Sequence, residues 1–155
     1  KKYYNKPRLL PSVYYYLQKQ PNIDPQHIYI LAFGEGCSEA LASLKYPVQI
    51  NKLICVSPVF DTARFSASKY SKTLYFDKVP KTLIIEKKRR SSWRRNHAYY
   101  LRRFLMQTNT VHQAVQYDEK TEWFWDPSNA FIYDIFYFLF QDLPAPNTAA
   151  FPIQS

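Results

Sequence analysis

Only two glycines occur in the 155 residues, and they stand two positions apart, Gly34 and Gly36, at the end of the apolar run Ile28-Tyr29-Ile30-Leu31-Ala32-Phe33. Glycine is the residue a chain uses where φ must be positive or where backbones must approach closely. A chain that has dispensed with it everywhere else has kept this one corner sharp. The run before the corner is hydrophobic at nearly every position, the pattern of a strand covered on both faces of a parallel sheet. Past the corner, Cys37-Ser38-Glu39-Ala40-Leu41 opens a helix with small residues next to the turn.

The remaining segments extend the alternation. Residues 11–20 predict a short helix with proline in its first turn and Val13, Tyr16 and Leu17 on one face. The helix after the glycine corner runs to about Lys45. A second buried strand follows at 50–56, and then a polar segment through Asp77. Thr82-Leu83-Ile84-Ile85-Glu86 is a third strand. Trp93, His97, Tyr100, Leu101, Phe104 and Leu105 then recur at helical spacing. Val111 to Tyr117 is a fourth strand. Asp126-Pro127 supplies an N-cap and a proline at N1 for a closing helix rich in aromatic residues. Strands alternating with helices imply right-handed crossovers, hence an α/β fold with a parallel sheet of about four strands and flanking helices. Residues 1–143 make the domain and 144–155 an extended, proline-containing tail.

Hydrophobic residues make up 46% and aromatics 18% of the chain, which excludes a disordered polymer. The net charge of +9 is unevenly placed. Lys87, Lys88, Arg89, Arg90, Arg94, Arg95, Arg102 and Arg103 lie together with no acid among them, a candidate anion-binding surface, whereas 118–142 is acidic. An acidic protein or a lipopolysaccharide-like surface is one expectation for it, and a solvated face or ion pairs with the acidic 118–142 segment another; nucleic acid is the weaker reading, since no nucleic-acid module pattern accompanies the charge. Cys37 and Cys55 have neither zinc nor C-x-x-C spacing and read as two buried thiols. No metal or cofactor is expected. The chain starts without methionine, has no signal peptide and no apolar run long enough for a membrane span, and so reads as a mature or partial product.

The strand, the corner Gly34-Glu35-Gly36-Cys37-Ser38 and the helix resemble the nucleophile elbow of the α/β-hydrolases, G-x-S-x-G. The lead-in Asn22-Ile23-Asp24-Pro25-Gln26-His27-Ile28-Tyr29 is similar to that of peptidases and esterases with this fold. The resemblance covers residues 11–143 and implies the C-terminal half of an α/β-hydrolase fold. More narrowly, Gly34-Glu35-Gly36, the Arg94-Arg95 to Arg102-Arg103 helix and Val111-His112-Gln113-Ala114-Val115 resemble uncharacterised hydrolase-like proteins of Gram-negative bacteria. That likeness implies export to the cell envelope, the periplasm in particular, and a glycine in the nucleophile slot. The family's usual topology places about four strands before the elbow. Without them the elbow strand is a bare edge, so a missing N-terminal half or a partner should cover it.

Laid on the elbow, Gly34 takes the first glycine and Gly36 the nucleophile slot. The family order of nucleophile, acid and histidine then falls on Gly36, Arg90 and Glu122, which cannot do that chemistry. Shifting the register by two makes Ser38 the nucleophile of an esterase or peptidase. Cys37 is a further candidate, and either needs a base. His27, His97 and His112 all fall outside the loop where the family's histidine belongs. Glu35 and Glu39 suit the positive end of the helix. In the closing helix, Phe131, Tyr133, Phe136, Tyr137 and Phe140 are the candidate partner-binding residues, because apolar side chains run nearly all the way round it and one sheet face cannot bury them all; burial under the chain's own extended tail, with Phe151 packing back, is the equal alternative. A catalytically silent, hydrolase-like subunit of a larger protein assembly is the resulting expectation, with a completed serine hydrolase and a polyanion-binding module as alternatives.

Overall fold

The computed structural model describes residues 9–65, 79–87, 96–117 and 131–140. They form, in chain order, α1 (Leu9–Gln18), β1 (Tyr29–Phe33), α2 (Gly36–Ser43), β2 (Lys52–Val56), β3 (Lys81–Lys87), α3 (His97–Gln107), β4 (His112–Tyr117) and α4 (Phe131–Phe140). The strands make one sheet in the order β1-β2-β3-β4. Every pairing is parallel, with Ala32 beside Cys55, Cys55 beside Ile84 and Ile84 beside Ala114. The α/β class and the four-stranded parallel sheet are therefore as the alternation of patterns predicts. The tail at 144–155 lies outside the described residues.

The central strands are apolar at consecutive positions because each face meets helices. Leu53, Cys55 and Ile84 point to the side of α1, α2 and α3, where they pack with Tyr14, Leu41, Leu101 and Leu105. Ile54, Val56, Leu83 and Ile85 point to the other side, under Phe138 of α4. Each such side chain, taken fully out of water, contributes roughly 1.5–3 kcal/mol. α1 differs from its sequence pattern. It docks through Pro11 and Tyr14, while Val13 and Tyr16 face solvent. The Tyr14 hydroxyl accepts a hydrogen bond from Gln18 Nε2 at 2.8 Å, so a buried tyrosine keeps a polar partner where the pattern puts a valine inside.

α3 begins at Asn96, whose side chain accepts from the Tyr99 N–H. It ends at Asn109, with φ 52, the left-handed stop that asparagine tolerates. α4 is fixed by two polar contacts within an apolar interface. The Lys52 ammonium, on a buried residue of β2, donates to the carbonyls of Phe138 (2.9 Å) and Leu139 (2.8 Å). A cation is thereby placed on carbonyls that a helix terminus leaves unpaired. The Tyr117 hydroxyl of β4 donates to the Asp134 carboxylate, which accounts for the one charged residue within α4.

Replacing Lys52 with methionine keeps the stem and removes the ammonium. Urea unfolding is expected to show a loss of about 1–3 kcal/mol. Burial, and then the hydrogen bond to Asp134, hold the Tyr117 phenol above the usual tyrosine range. The fold therefore favours the neutral phenol. The stability this contributes is complete below the unfolded value of about 10 and is lost as the pH climbs through the raised folded value. Stability measured from pH 8 upward should fall above pH ~10, and the Tyr117→Phe variant should lack that component.

Candidate functional site

In open α/β sheets, ligands sit beyond the carboxyl ends of the strands. At that end β1 turns into α2. The left-handed residue of the turn is Gly34, φ 53, and a Cβ built there meets nothing within 4 Å. Gly36 opens α2, and a Cβ on it would lie 3.8 Å from the Ala32 Cβ. The tip is therefore Gly34, two residues before the slot that the motif alignment assigns. Ala32 and Gly36 flank it as the small residues that let strand and helix touch. The elbow reads Ala32-x-Gly34-x-Gly36, and glycine occupies the tip itself.

The backbone of the tip is clasped by the segment after β2. The Gly34 N–H donates to the Val56 carbonyl at 3.0 Å, and the Gly34 carbonyl accepts from Val59 N at 2.9 Å and from Cys37 N at 3.3 Å. That segment leaves β2 through Ser57, a non-glycine residue at φ 46. Residue types alone do not single out Ser57, and its one signal in the sequence is the proline that follows, which biases the preceding residue away from the right-handed helical region.

Ser38 is buried within α2. Its hydroxyl donates to the Val59 carbonyl at 2.8 Å and accepts from the Asp61 N–H at 3.2 Å. Cys37 is also buried, with its thiol directed at the Ala32 carbonyl. Arg64 Nη1 reaches Glu39 Oε1 at 3.0 Å, while Glu39 Oε2 is buried without a hydrogen-bond partner among the described residues.

The three histidines are engaged elsewhere. His27 Nδ1 lies 2.6 Å from Asp24 Oδ2, both exposed, at the opposite end of β1 from the tip. There the Gln26 N–H, and then His27, hold the Asp24 carboxyl below its usual range. His112 Nδ1 sits 2.9 Å from the Thr110 carbonyl. His97 alone stands at the end of the sheet where the tip lies, with Nδ1 3.2 Å from both the N–H and the carbonyl of Phe60, one residue from the groups that hold Ser38. Its partner is backbone, as a satisfied core histidine would have it.

Of the candidate partner-binding residues, Tyr133, Phe136, Tyr137 and Phe140 are exposed on α4, with the Phe136 and Phe140 rings stacked at 6.0 Å. The side chain of Phe131 lies outside the described set. Arg102 and Arg103 are exposed on α3, and Lys87 closes β3. Lys88, Arg89, Arg90, Arg94, Arg95 and Glu122 lie outside the described residues. Among the described residues no group of three or more His, Cys, Asp or Glu is placed to hold a metal ion, and no helix is long and apolar enough to cross a membrane. Among the same residues β1 pairs only with β2, leaving Leu31 48% and Phe33 38% exposed at the sheet edge.

A parallel sheet with helices on both faces and a left-handed glycine at a strand-to-helix elbow has the fold of the α/β-hydrolases. No protein-family model matches the chain, and no curated protein does. Among solved structures it is similar to MGS-M1, an α/β-hydrolase enzyme from a Medee basin deep-sea metagenome library, with a TM-score of 0.66 and 14% identity over 91% of this chain and 67% of that one. It is also similar to Porphyromonas gingivalis dipeptidyl peptidase 4, with a TM-score of 0.59 and 17% identity over 88% of this chain. The chain spans 22% of that peptidase's length. Acetyl xylan esterase 1 from a Thermoanaerobacterium species is a further neighbour, with a TM-score of 0.51 and 10% identity, over 85% of this chain and 50% of its own. At these identities the likeness establishes the fold.

Two alanine substitutions separate the tip from its flank. Gly34→Ala has room for the methyl but not the backbone conformation, and should cost roughly 1–2 kcal/mol. Gly36→Ala meets ordinary van der Waals contact and should change stability by less than about 0.5 kcal/mol. Thermal unfolding of the two variants checks the order.

Proposed function

We propose that this chain is a non-catalytic, hydrolase-like domain that serves as a structural or binding subunit of a larger protein assembly in a bacterial cell envelope. The observation that carries the reading is the tip. Glycine stands at φ 53 where a hydrolase presents its reactive side chain, and the nearest nucleophiles, Cys37 and Ser38, are turned into the core. A hydroxyl that already donates to one backbone group and accepts from another is a poor candidate for attack. A completed esterase acting through Ser38 would have to break both bonds.

The contrast between the two sheet edges supports assembly. β4 has the composition of a solvent edge, His-Gln-Ala-Val-Gln-Tyr, with Gln113 and Gln116 exposed. β1, Tyr-Ile-Leu-Ala-Phe, has that of an interior strand. An apolar strand at the edge of a sheet is a template for another strand. Its exposed Leu31 and Phe33 and the aromatic ridge of α4 are the surfaces such a partner would cover. The narrower resemblance of the Gly34-Glu35-Gly36 corner and the basic helix supports the envelope, specifically the periplasm, and the basic residues of 87–103 would suit an acidic surface there.

Sedimentation of the purified chain is expected to show association at micromolar concentration. A variant carrying Leu31→Lys and Phe33→Lys, both at partly exposed positions, should stay folded by circular dichroism and sediment as a monomer. A wild-type chain that is monomeric, stable and silent towards a hydrophobic dye would overturn the assembly reading. A fluorophosphonate probe is expected to leave Ser38 unmodified, and an adduct there would restore the esterase.

A further inference from the structure

We propose that Cys37 and Cys55 are a redox couple that closes into a disulfide between α2 and β2 when the protein meets a hydroperoxide. The inference is independent of whether the domain is catalytic. Cys37 is the second residue of α2 and Cys55 the fourth of β2, and both are wholly buried and free. Ala32 links them. It is the cross-strand partner of Cys55, and its carbonyl accepts from Cys37 Sγ at 3.5 Å. Both side chains lie in the same buried cluster, on the face of the sheet that α2 covers. The first turn of α2 lies against the sheet here, a Cβ built on Gly36 being in van der Waals contact with the Ala32 Cβ at 3.8 Å. A disulfide needs that closeness, since its Cα atoms usually lie about 4.4–6.8 Å apart.

The arrangement assigns unequal roles. The Cys37 neighbour, together with burial, raises the Cys55 thiol well above the usual range. Cys37, on the short helix α2 whose local opening would admit the oxidant, is the attacking sulfur, and Cys55, inside β2, is the resolving one. With hydrogen peroxide, the Cys37 thiolate attacks one oxygen, the O–O bond breaks, and hydroxide leaves to take up a proton as water. This gives a sulfenic acid on Cys37. The Cys55 sulfur attacks the Cys37 sulfur, the S–S bond forms and the S–O bond breaks. The departing hydroxide takes the Cys55 proton as a second water. Two thiols lose two electrons and the peroxide gains them. A closed site favours an oxidant close to water in size, admitted when the short α2 opens locally.

The test treats the folded chain with hydrogen peroxide, alkylates the remaining thiols in denaturant and maps the peptides without reductant. The expected result is a joined pair of peptides carrying Cys37 and Cys55, with the mass lower by two hydrogens and both thiols recovered when reductant comes first. In Cys55→Ser, dimedone should trap a sulfenic acid on Cys37, and Cys37→Ser should give no adduct on Cys55 over the same time. Recovery of both alkylated thiols after peroxide overturns the proposal. So does separate over-oxidation without a join, or a join that forms only when denaturant is present during oxidation. The wild-type chain alone decides between these outcomes, whether or not either variant folds.

Discussion

The contact between the end of β1 and the start of α2 is the constraint from which the architecture follows. A strand can turn directly into a helix lying over its own sheet only if the turn residue accepts a left-handed backbone and the residues on either side of it have almost no side chain. Gly34 meets the first condition at φ 53, and Ala32 and Gly36 meet the second. Once α2 lies on that face, Leu41 and Cys37 join Leu53, Cys55 and Ile84 in one core, and the segment from Ser57 to Phe65 closes over the tip. A glycine at position 34 and a small residue at position 36 are thus geometric requirements, and they hold whether or not the tip bears a reactive group.

Elements whose pattern is local and repetitive are legible in the sequence. The apolar run of β2 gives a strand covered on both faces, the like run of β1 gives an edge strand with Leu31 and Phe33 exposed, and the spacing of Leu101, Phe104 and Leu105 gives α3 its buried side. What the pattern does not carry is the phase of short elements and the partners of isolated polar groups. α1 presents Pro11 and Tyr14 to the core because a tyrosine whose hydroxyl finds Gln18 is as buriable as a valine, and hydrophobicity alone does not register this. The tip falls at Gly34 because backbone conformation, which a motif of residue types does not encode, selects between two glycines. Ser38 fits a sequence motif for a nucleophile, yet its partners lie 21 and 23 residues away, on Val59 and Asp61.

Two charged residues that look out of place in the sequence explain one another's surroundings. Lys52 begins a strand that is otherwise wholly apolar, and Asp134 interrupts a helix that is otherwise apolar or aromatic. The first meets the carbonyl end of α4 and the second meets the hydroxyl of Tyr117, so the helix is held at two points along its length and its angle across the sheet is set. Dispersion contacts between leucines and phenylalanines tolerate sliding, whereas directional bonds do not. With Phe138 fixed beneath it, the opposite ridge of Tyr133, Phe136, Tyr137 and Phe140 is committed to face outward.

The unlike rims of the sheet also limit how copies or partners could be stacked through it. Growth of a fibre by strand addition needs two receptive rims on every unit, one to receive and one to offer. Among the described residues the glutamine-bearing rim of β4 is a poorer host for an apolar strand than the rim of β1. On the proposed assembly, a unit with one receptive side is capped once and then stops, so complexes made this way would be finite pairs and not open polymers.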